Sequence, residues 1–257
     1  MEYPKADQYP DLSVIYAECS GPGGLRLAEF MAEKMGLRVG TRLLDIGFEH
    51  GYQTCFLAKE YGAQVTGIDP GRDRKDGALH VDHLMRNAQH WGVQDHIVGI
   101  PVGVPDTKLA GDSFDFAYST TTFEMLRGFF GEGMYRQAIA EVLRVLRPGG
   151  IFGLGEPMHK DVPIPADMIP LYTGGEGVGA DNWAECFETA QHTAEVCAAM
   201  GFKVLEYGEA PDAQDWWLEY CQYDPYSMAD PEGESRTIRQ DGGRWLTYGY
   251  VIAQKPM

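Results

Sequence analysis

The segment from residue 43 to residue 69 constrains this chain most, because it reads as strand, glycine turn, helix and second strand. Leu43-Leu44-Asp45-Ile46 is a short apolar run closed by Gly47. Residues 52–61 return to helical spacing of their apolar side chains, and Gly62 stops them. Ala63-Gln64-Val65-Thr66-Gly67-Ile68-Asp69 is a second short run. Apolar recurrence near 3.6 marks a helix, and short glycine-bounded apolar runs mark strands. Two strands joined through a helix form a parallel crossover.

The alternation continues. Residues 79–91 read as a helix, 96–100 as a third strand, 113–119 as a fourth, 134–146 as a helix and 151–154 as a fifth strand. Arg147-Pro148-Gly149-Gly150 breaks the helix before that fifth strand. This predicts a doubly wound α/β sheet. Ahead of it, the first fifteen residues look loop-like and 25–35 read as a helix. After it come a helix over 181–200 capped by Asp181, a sixth strand over 202–207 and an aromatic helix over 212–223. A loop rich in Pro, Gly and Asp follows, then a last strand over 245–253.

The formal net charge of −17 argues against nucleic acid and against an anionic membrane surface, since phosphates would repel the chain. No apolar run reaches the length of a membrane span. The N-terminus lacks a signal-peptide pattern. Five widely spaced cysteines without a Cys-x-x-Cys pair fit reduced thiols, so a cytoplasmic location is expected.

A glycine turn at a helix N-terminus accepts anionic or polar groups, and ligands of open α/β sheets bind beyond the carboxyl ends of the strands. Asp69, 24 residues after Asp45, is placed to hold a ribose. By itself this unit suits NAD, FAD or another nucleoside.

The neighbouring residues narrow the choice. Leu43-Leu44-Asp45-Ile46-Gly47 with Gly51, then Val65-Thr66-Gly67-Ile68-Asp69-Pro70, resembles the class I S-adenosylmethionine-dependent methyltransferases. So do Ser113-Phe114-Asp115-Phe116-Ala117-Tyr118-Ser119 and the run Val145-Leu146-Arg147-Pro148-Gly149-Gly150. Residues 248–253 look like that family's last, antiparallel strand. The resemblance covers about residues 20–155 well, and is nearest to small-molecule enzymes of the quinone-biosynthesis and sterol-methylating type. It implies a mostly parallel seven-stranded sheet. The implied organisation is an N-terminal helical segment over 1–40, a cofactor-binding core over 41–155 and an acceptor-site cap with the last strands over 156–257. It further implies methyl transfer from S-adenosylmethionine to a small-molecule acceptor. Asp45, Gly47, Phe48, Glu49, Gly51, Asp69, Pro70, Gly103, Val104 and Ser119 would hold the cofactor.

Two positions depart from the pattern. The family turn carries a middle glycine where this chain has Glu49, a place where glycine lets the backbone come close. A carboxylate there would either pair with the cofactor's ammonium or repel its carboxylate. After the third strand, Val102-Gly103-Val104 lacks the acid that meets the adenine amine. These changes motivate two alternatives: a tetrahydrofolate-dependent one-carbon transferase of methyl, halomethyl, demethylase or dehalogenase type, and a non-catalytic ligand- or partner-binding protein.

His50 in the turn, His159 after the fifth strand, Glu124 and Tyr118 are the candidates for acid/base chemistry, which histidine performs well near neutrality. His80, His83, His90 and His96 are expected at the surface. His80-x-x-His83 has ligand spacing, but nothing beside it completes a zinc set, so no metal is expected. Trp183, Trp216, Trp217 and Tyr220 suggest an acceptor pocket, with the Trp216-Trp217 pair as a lid. A homodimer is expected only from the frequency of such assemblies.

Overall fold

The computed structural model describes residues 2–19, 21–173 and 182–257. Its first elements are α1 (Leu12–Glu18), α2 (Gly24–Met35), β1 (Arg42–Ile46), α3 (Tyr52–Tyr61), β2 (Gln64–Ile68), α4 (His80–Trp91) and β3 (Ile97–Ile100). Then come β4 (Phe114–Thr120), α5 (Phe123–Phe130), α6 (Glu132–Val145), β5 (Leu146–His159), α7 (Ile169–Tyr172), α8 (Trp183–Cys186) and α9 (Ala190–Ala199). The chain ends with β6 (Lys203–Glu209), α10 (Ala213–Tyr223), α11 (Pro225–Ala229), α12 (Glu234–Asp241) and β7 (Leu246–Gln254).

One seven-stranded sheet runs in the order β3-β2-β1-β4-β5-β7-β6. β1 to β5 pair in parallel, and β7 lies antiparallel between β5 and β6. The order reverses between β1 and β4, so a crevice opens beyond their carboxyl ends. Both sheet faces are covered, which is why β1, β4 and β7 are buried almost throughout. One face packs Phe30, Met31, Phe56 and Leu57 from α2 and α3, and the other packs Ile139, Val142 and Val145 from α6 with Cys197 from α9. A third cluster joins Tyr172, Trp183, Trp217 and Trp245 in the C-terminal part. Among the described residues, no helix is long and apolar enough to cross a membrane.

The core elements lie where the apolar spacing puts them, and the differences have local causes. α1 forms in the segment that reads as loop, because the Asp11 carboxylate caps it by accepting from the Val14 N–H at 3.2 Å. α5 follows β4 directly after Thr122 and buries Phe123, Glu124 and Arg127. β5 begins at Leu146, earlier than expected. Leu146 pairs with Phe114 and Ile151 with Phe116, so residues 147–150 bulge from a strand that continues on both sides. The strand also runs on to His159, because β7 pairs with it from Ile151 onward. The boundary expected at residue 155 therefore falls inside β5.

The single helix expected over 181–200 is two. α8 stops at Cys186, and Thr189 starts α9 by accepting from the His192 N–H at 3.1 Å. The expected cap Asp181 lies outside the described residues. α12 occupies part of the expected loop and buries Ile238 beneath a polar exterior. Trp216 and Trp217 are 1% and 2% exposed, so α10 is anchored in the core and is no lid.

Candidate active site

The turn between β1 and α3 is held in a left-handed path. Gly47, Glu49 and Gly51 have φ of 80°, 51° and 76°. A Cβ on Gly47 would come 2.2 Å from Thr122 Oγ1, and one on Gly51 would come 2.2 Å from Leu84 Cδ1. Glycine is thus required at both places by conformation and by close packing. Glu49 takes the glycine-like conformation without being glycine, at a cost of about 1–2 kcal/mol. Its N–H donates to Asp69 Oδ2 at 2.9 Å, which ties the turn to the end of β2. Asp69 Oδ1 accepts from the Gly71 N–H at 2.7 Å and lies 3.0 Å from His80 Nδ1. The carboxylate is therefore fixed in orientation at the crevice edge.

These elements enclose a cavity of about 310 Å³. Asp45, Gly47, Phe48, Glu49, Asp69, Pro70, Gly103 and Val104 all line it. Glu49 stands in the wall and leaves the cavity open. Gly51 and Ser119 do not line it. Gly51 caps α3, and Ser119 is fully buried with its hydroxyl donating to Ile46 O at 2.8 Å. The sequence reading missed Gln53, Thr120, Thr121, Thr122, Met125 and Leu126 in the same wall. The three consecutive threonines after β4 were the available signal.

Asp45 is buried, and its Oδ2 accepts from the Thr54 hydroxyl at 2.6 Å. Burial pushes its carboxyl up to about 7, against the Thr54 hydrogen bond and helped by the charge of Asp69. The unfolded value is near 3.9. Its contribution to stability is thus full below about pH 4 and is lost as pH rises through about 7. Unfolding of the ligand-free protein followed by urea from pH 4 to 8 should show wild type losing a few kcal/mol more than Asp45→Asn. Parallel curves for the two proteins would mean that Asp45 is ionised throughout.

Tyr118 is a structural donor. It is 1% exposed, lies outside the cavity wall and donates to Gln53 Oε1 at 2.8 Å. Thr120 Oγ1 donates to the same oxygen at 2.7 Å, and Gln53 Nε2 donates to Gly24 O at 2.7 Å. Successive strand residues face opposite sides of the sheet, so Tyr118 enters the core beneath α2 and α3.

His159 also lies away from the cavity. Its ring stacks on Trp245 at 4.6 Å, and its Nδ1 is 2.8 Å from Lys160 O. The extra length of β5 carries it past the crevice. His50 lies behind the turn, with Nε2 2.9 Å from Asp73 Oδ2 and Nδ1 3.3 Å from Glu18 Oε2. Burial opposes its charged form, but Glu18, Glu49 and Asp73 outweigh that and hold it above the usual imidazole range.

His80 and His83 are gathered with His50 and are not the solvated pair expected. His83 stacks on His50 at 4.1 Å and 8°, with Nε2 3.3 Å from Asp76. His50, Asp73 and His83 place ligand atoms within 4.8 Å of one another. Imidazole lone pairs lie in the ring plane, so two near-parallel stacked rings do not converge on one ion without rotating.

A second cavity of about 440 Å³ adjoins the first, and the two share Glu49, Thr121 and Met125. Trp183, Trp217, Tyr220 and Glu124 line it. Trp216 does not. It packs on Tyr3, Phe30 and Tyr248 with ring centroids 5.9, 6.0 and 6.2 Å away. Neighbouring helical residues point about 100° apart, so only one of the tryptophan pair can face the chamber. Tyr226, one of the C-terminal aromatics expected at an acceptor pocket, also lines it, and so do Phe129, Arg72 and Glu234, which the sequence reading does not single out.

Residues 44–154 match a family described as a methyltransferase domain. The sterol 24-C-methyltransferase ERG6B of Gibberella zeae is 24% identical over 214 residues, which are 83% of this chain and 53% of that protein. The erythromycin 3''-O-methyltransferase of Saccharopolyspora erythraea is 26% identical over 206 residues, 76% of this chain and 61% of that protein. The chain spans about half the length of the sterol 24-C-methyltransferases it matches. Among solved structures, the cyclase SpnF superimposes with a TM-score of 0.72 at 21% identity, over 98% of this chain and 96% of that one. A geranyl diphosphate C-methyltransferase from Streptomyces coelicolor A3(2), with S-adenosyl-L-homocysteine bound, gives 0.65 at 14% identity, over 90% and 76%. The shared fold therefore hosts a cyclase as well as methyltransferases, and the reaction must be argued from the site.

Proposed function

We propose that this chain, whose residues 44–154 match a methyltransferase-domain family, moves a methyl group from S-adenosylmethionine to a small-molecule acceptor. The observation that carries this reading is the junction of the two cavities at Glu49, Thr121 and Met125. A cofactor in the first cavity would present its reacting group to an acceptor in the second.

The residues fit the cofactor. Asp69 keeps acceptor capacity on Oδ2 beyond the Glu49 N–H, enough for a ribose hydroxyl. Asp45 and Glu49 supply carboxyl groups to the α-ammonium at the β1 end. Phe48, Ile68, Val104 and Leu126 give apolar walls to a purine. When bound, S-adenosylmethionine supplies a methyl group on a sulfonium, open to direct displacement. The protein's share is positioning and exclusion of water. Thr121 and Met125 form the shared wall across which donor and acceptor must meet. Tetrahydrofolate has no observation in its favour, since Glu49 lines the cavity and leaves it open.

Thermal unfolding tests this reading. S-adenosylhomocysteine at 100 times its dissociation constant adds about 2.7 kcal/mol, which is a rise of about 5–10 °C for a chain of this size. Tetrahydrofolate at the same concentration should give no rise. No shift with the adenosyl ligand, or a larger one with the folate, would overturn the proposal.

A further inference from the structure

The second cavity holds more buried acid than positioning an acceptor needs. Glu124, at the start of α5, is 1% exposed, lines the chamber, and its Oε2 has no hydrogen-bond partner. Behind it Glu156 is fully buried and accepts from the Tyr135 hydroxyl at 2.9 Å. The nearby Arg127 guanidinium is engaged through Nε and Nη1, while its Nη2 has no hydrogen-bond partner. Arg127 lies 3.6 Å from Glu156 Oε1, donates to Glu132 Oε2 at 3.0 Å and to Cys186 O at 3.1 Å, and covers the Tyr135 ring. Glu124 faces the chamber without an ion pair of its own, the charge of Arg127 only partly offsetting its burial. Burial and the charge of Glu156 push its carboxyl well above the ordinary range.

Glu234 also lines the chamber, with the Tyr220 hydroxyl donating to its Oε2 at 3.4 Å. Trp183, Trp217, Tyr220 and Tyr226 supply aromatic faces to the same space. Such faces attract cations, more strongly when water is excluded. Arg72 and Arg74 line the mouth, but both are exposed and so are screened by solvent.

We propose that the chamber takes an acceptor with a basic nitrogen, held between the aromatic faces by the Glu124 and Glu234 carboxyl groups, and that this nitrogen receives the methyl group. The proposal rests on the methyltransferase reading above and names its substrate class. Amine and Glu124 share one proton. It sits on the nitrogen when the pair is bound, and passes to the Glu124 carboxylate oxygen to free the lone pair. The lone pair then forms the nitrogen–carbon bond as the methyl–sulfur bond breaks, and its electrons stay on sulfur. Positive charge thereby moves from sulfur to nitrogen, into the region of the acids and aromatic faces.

The test is a tryptophan-fluorescence titration in the presence of S-adenosylhomocysteine, with benzylamine, benzyltrimethylammonium, benzyl alcohol and benzoate as probes of similar shape. The two cations should bind at least tenfold tighter than the alcohol, with benzoate weakest. Glu124→Gln and Glu234→Gln should each weaken benzylamine by tenfold or more. Equal or undetectable binding of all four probes, or unchanged benzylamine affinity in both variants, overturns the proposal. The S-adenosylhomocysteine thermal shift is recorded on the same samples. If it persists while cation selectivity is missing, only the substrate class falls. If it is missing too, the methyltransferase reading falls with it.

Discussion

Asp69→Ala should weaken S-adenosylhomocysteine by roughly two to three orders of magnitude in calorimetric titration. Hydrogen bonds to a charged group contribute about 1.5–3 kcal/mol each, and a ribose offers two hydroxyls to this carboxylate. The same side chain also accepts the Glu49 and Gly71 N–H groups, which would be left without it. The ligand-free variant should therefore melt lower as well. Asp69→Asn keeps one acceptor oxygen, so its loss in affinity should be smaller. An alanine variant that binds within threefold of wild type would place the ribose elsewhere.

Arg127→Met should cost about 3–5 kcal/mol of stability, because removing one partner leaves a buried charge uncompensated. That corresponds to a fall of about 6–20 °C in Tm for a chain of this size. Arg127 is 5% exposed and Glu156 is fully buried, so solvent does little to soften the loss. The sign with pH follows from the carboxyl. Without the guanidinium, Glu156 folds more easily when protonated, so the loss should shrink from pH 7.5 to pH 5.5. Adding Glu156→Gln to Arg127→Met should recover part of the stability at pH 7.5. A single-variant loss below 1 kcal/mol in urea unfolding would mean that the guanidinium does not hold this carboxylate.

The elements around the first cavity were legible because their signals are local. Asp45, one residue before the end of β1, and Asp69, one residue past the end of β2, lie at the crevice because each strand runs into a turn there. Gly47 and Gly51 mark the turn through a backbone need that a sequence states directly. Eight of the ten residues expected in that wall do line it. Gly51 acts on helix α3 instead, and Ser119 braces β1 from within.

The acid/base candidates were less legible, because they depend on which way a side chain faces. Tyr118 and Ser119 occupy consecutive positions on β4, and pattern alone does not tell which sheet face a helix will close over. His159 moved away because β7 extends β5, a pairing between segments about ninety residues apart. Trp216 and Trp217 are identical in type and adjacent in sequence, and only the packing of α10 against Phe30 and Tyr248 separates core from chamber.

By itself the sequence determined the parallel crossover core, its order of strands and helices, and the acids and glycines at the ends of β1 and β2. Those follow from periodicity and backbone conformation, which act over a few residues. Only the tertiary structure decided that Glu124, Arg127 and Glu156 share one buried site, that His50, His80 and His83 gather around Asp69 and Asp73, and that two cavities meet at Glu49. These groupings join residues tens of positions apart, and their charges and protons respond to distance and burial, which a linear pattern does not contain.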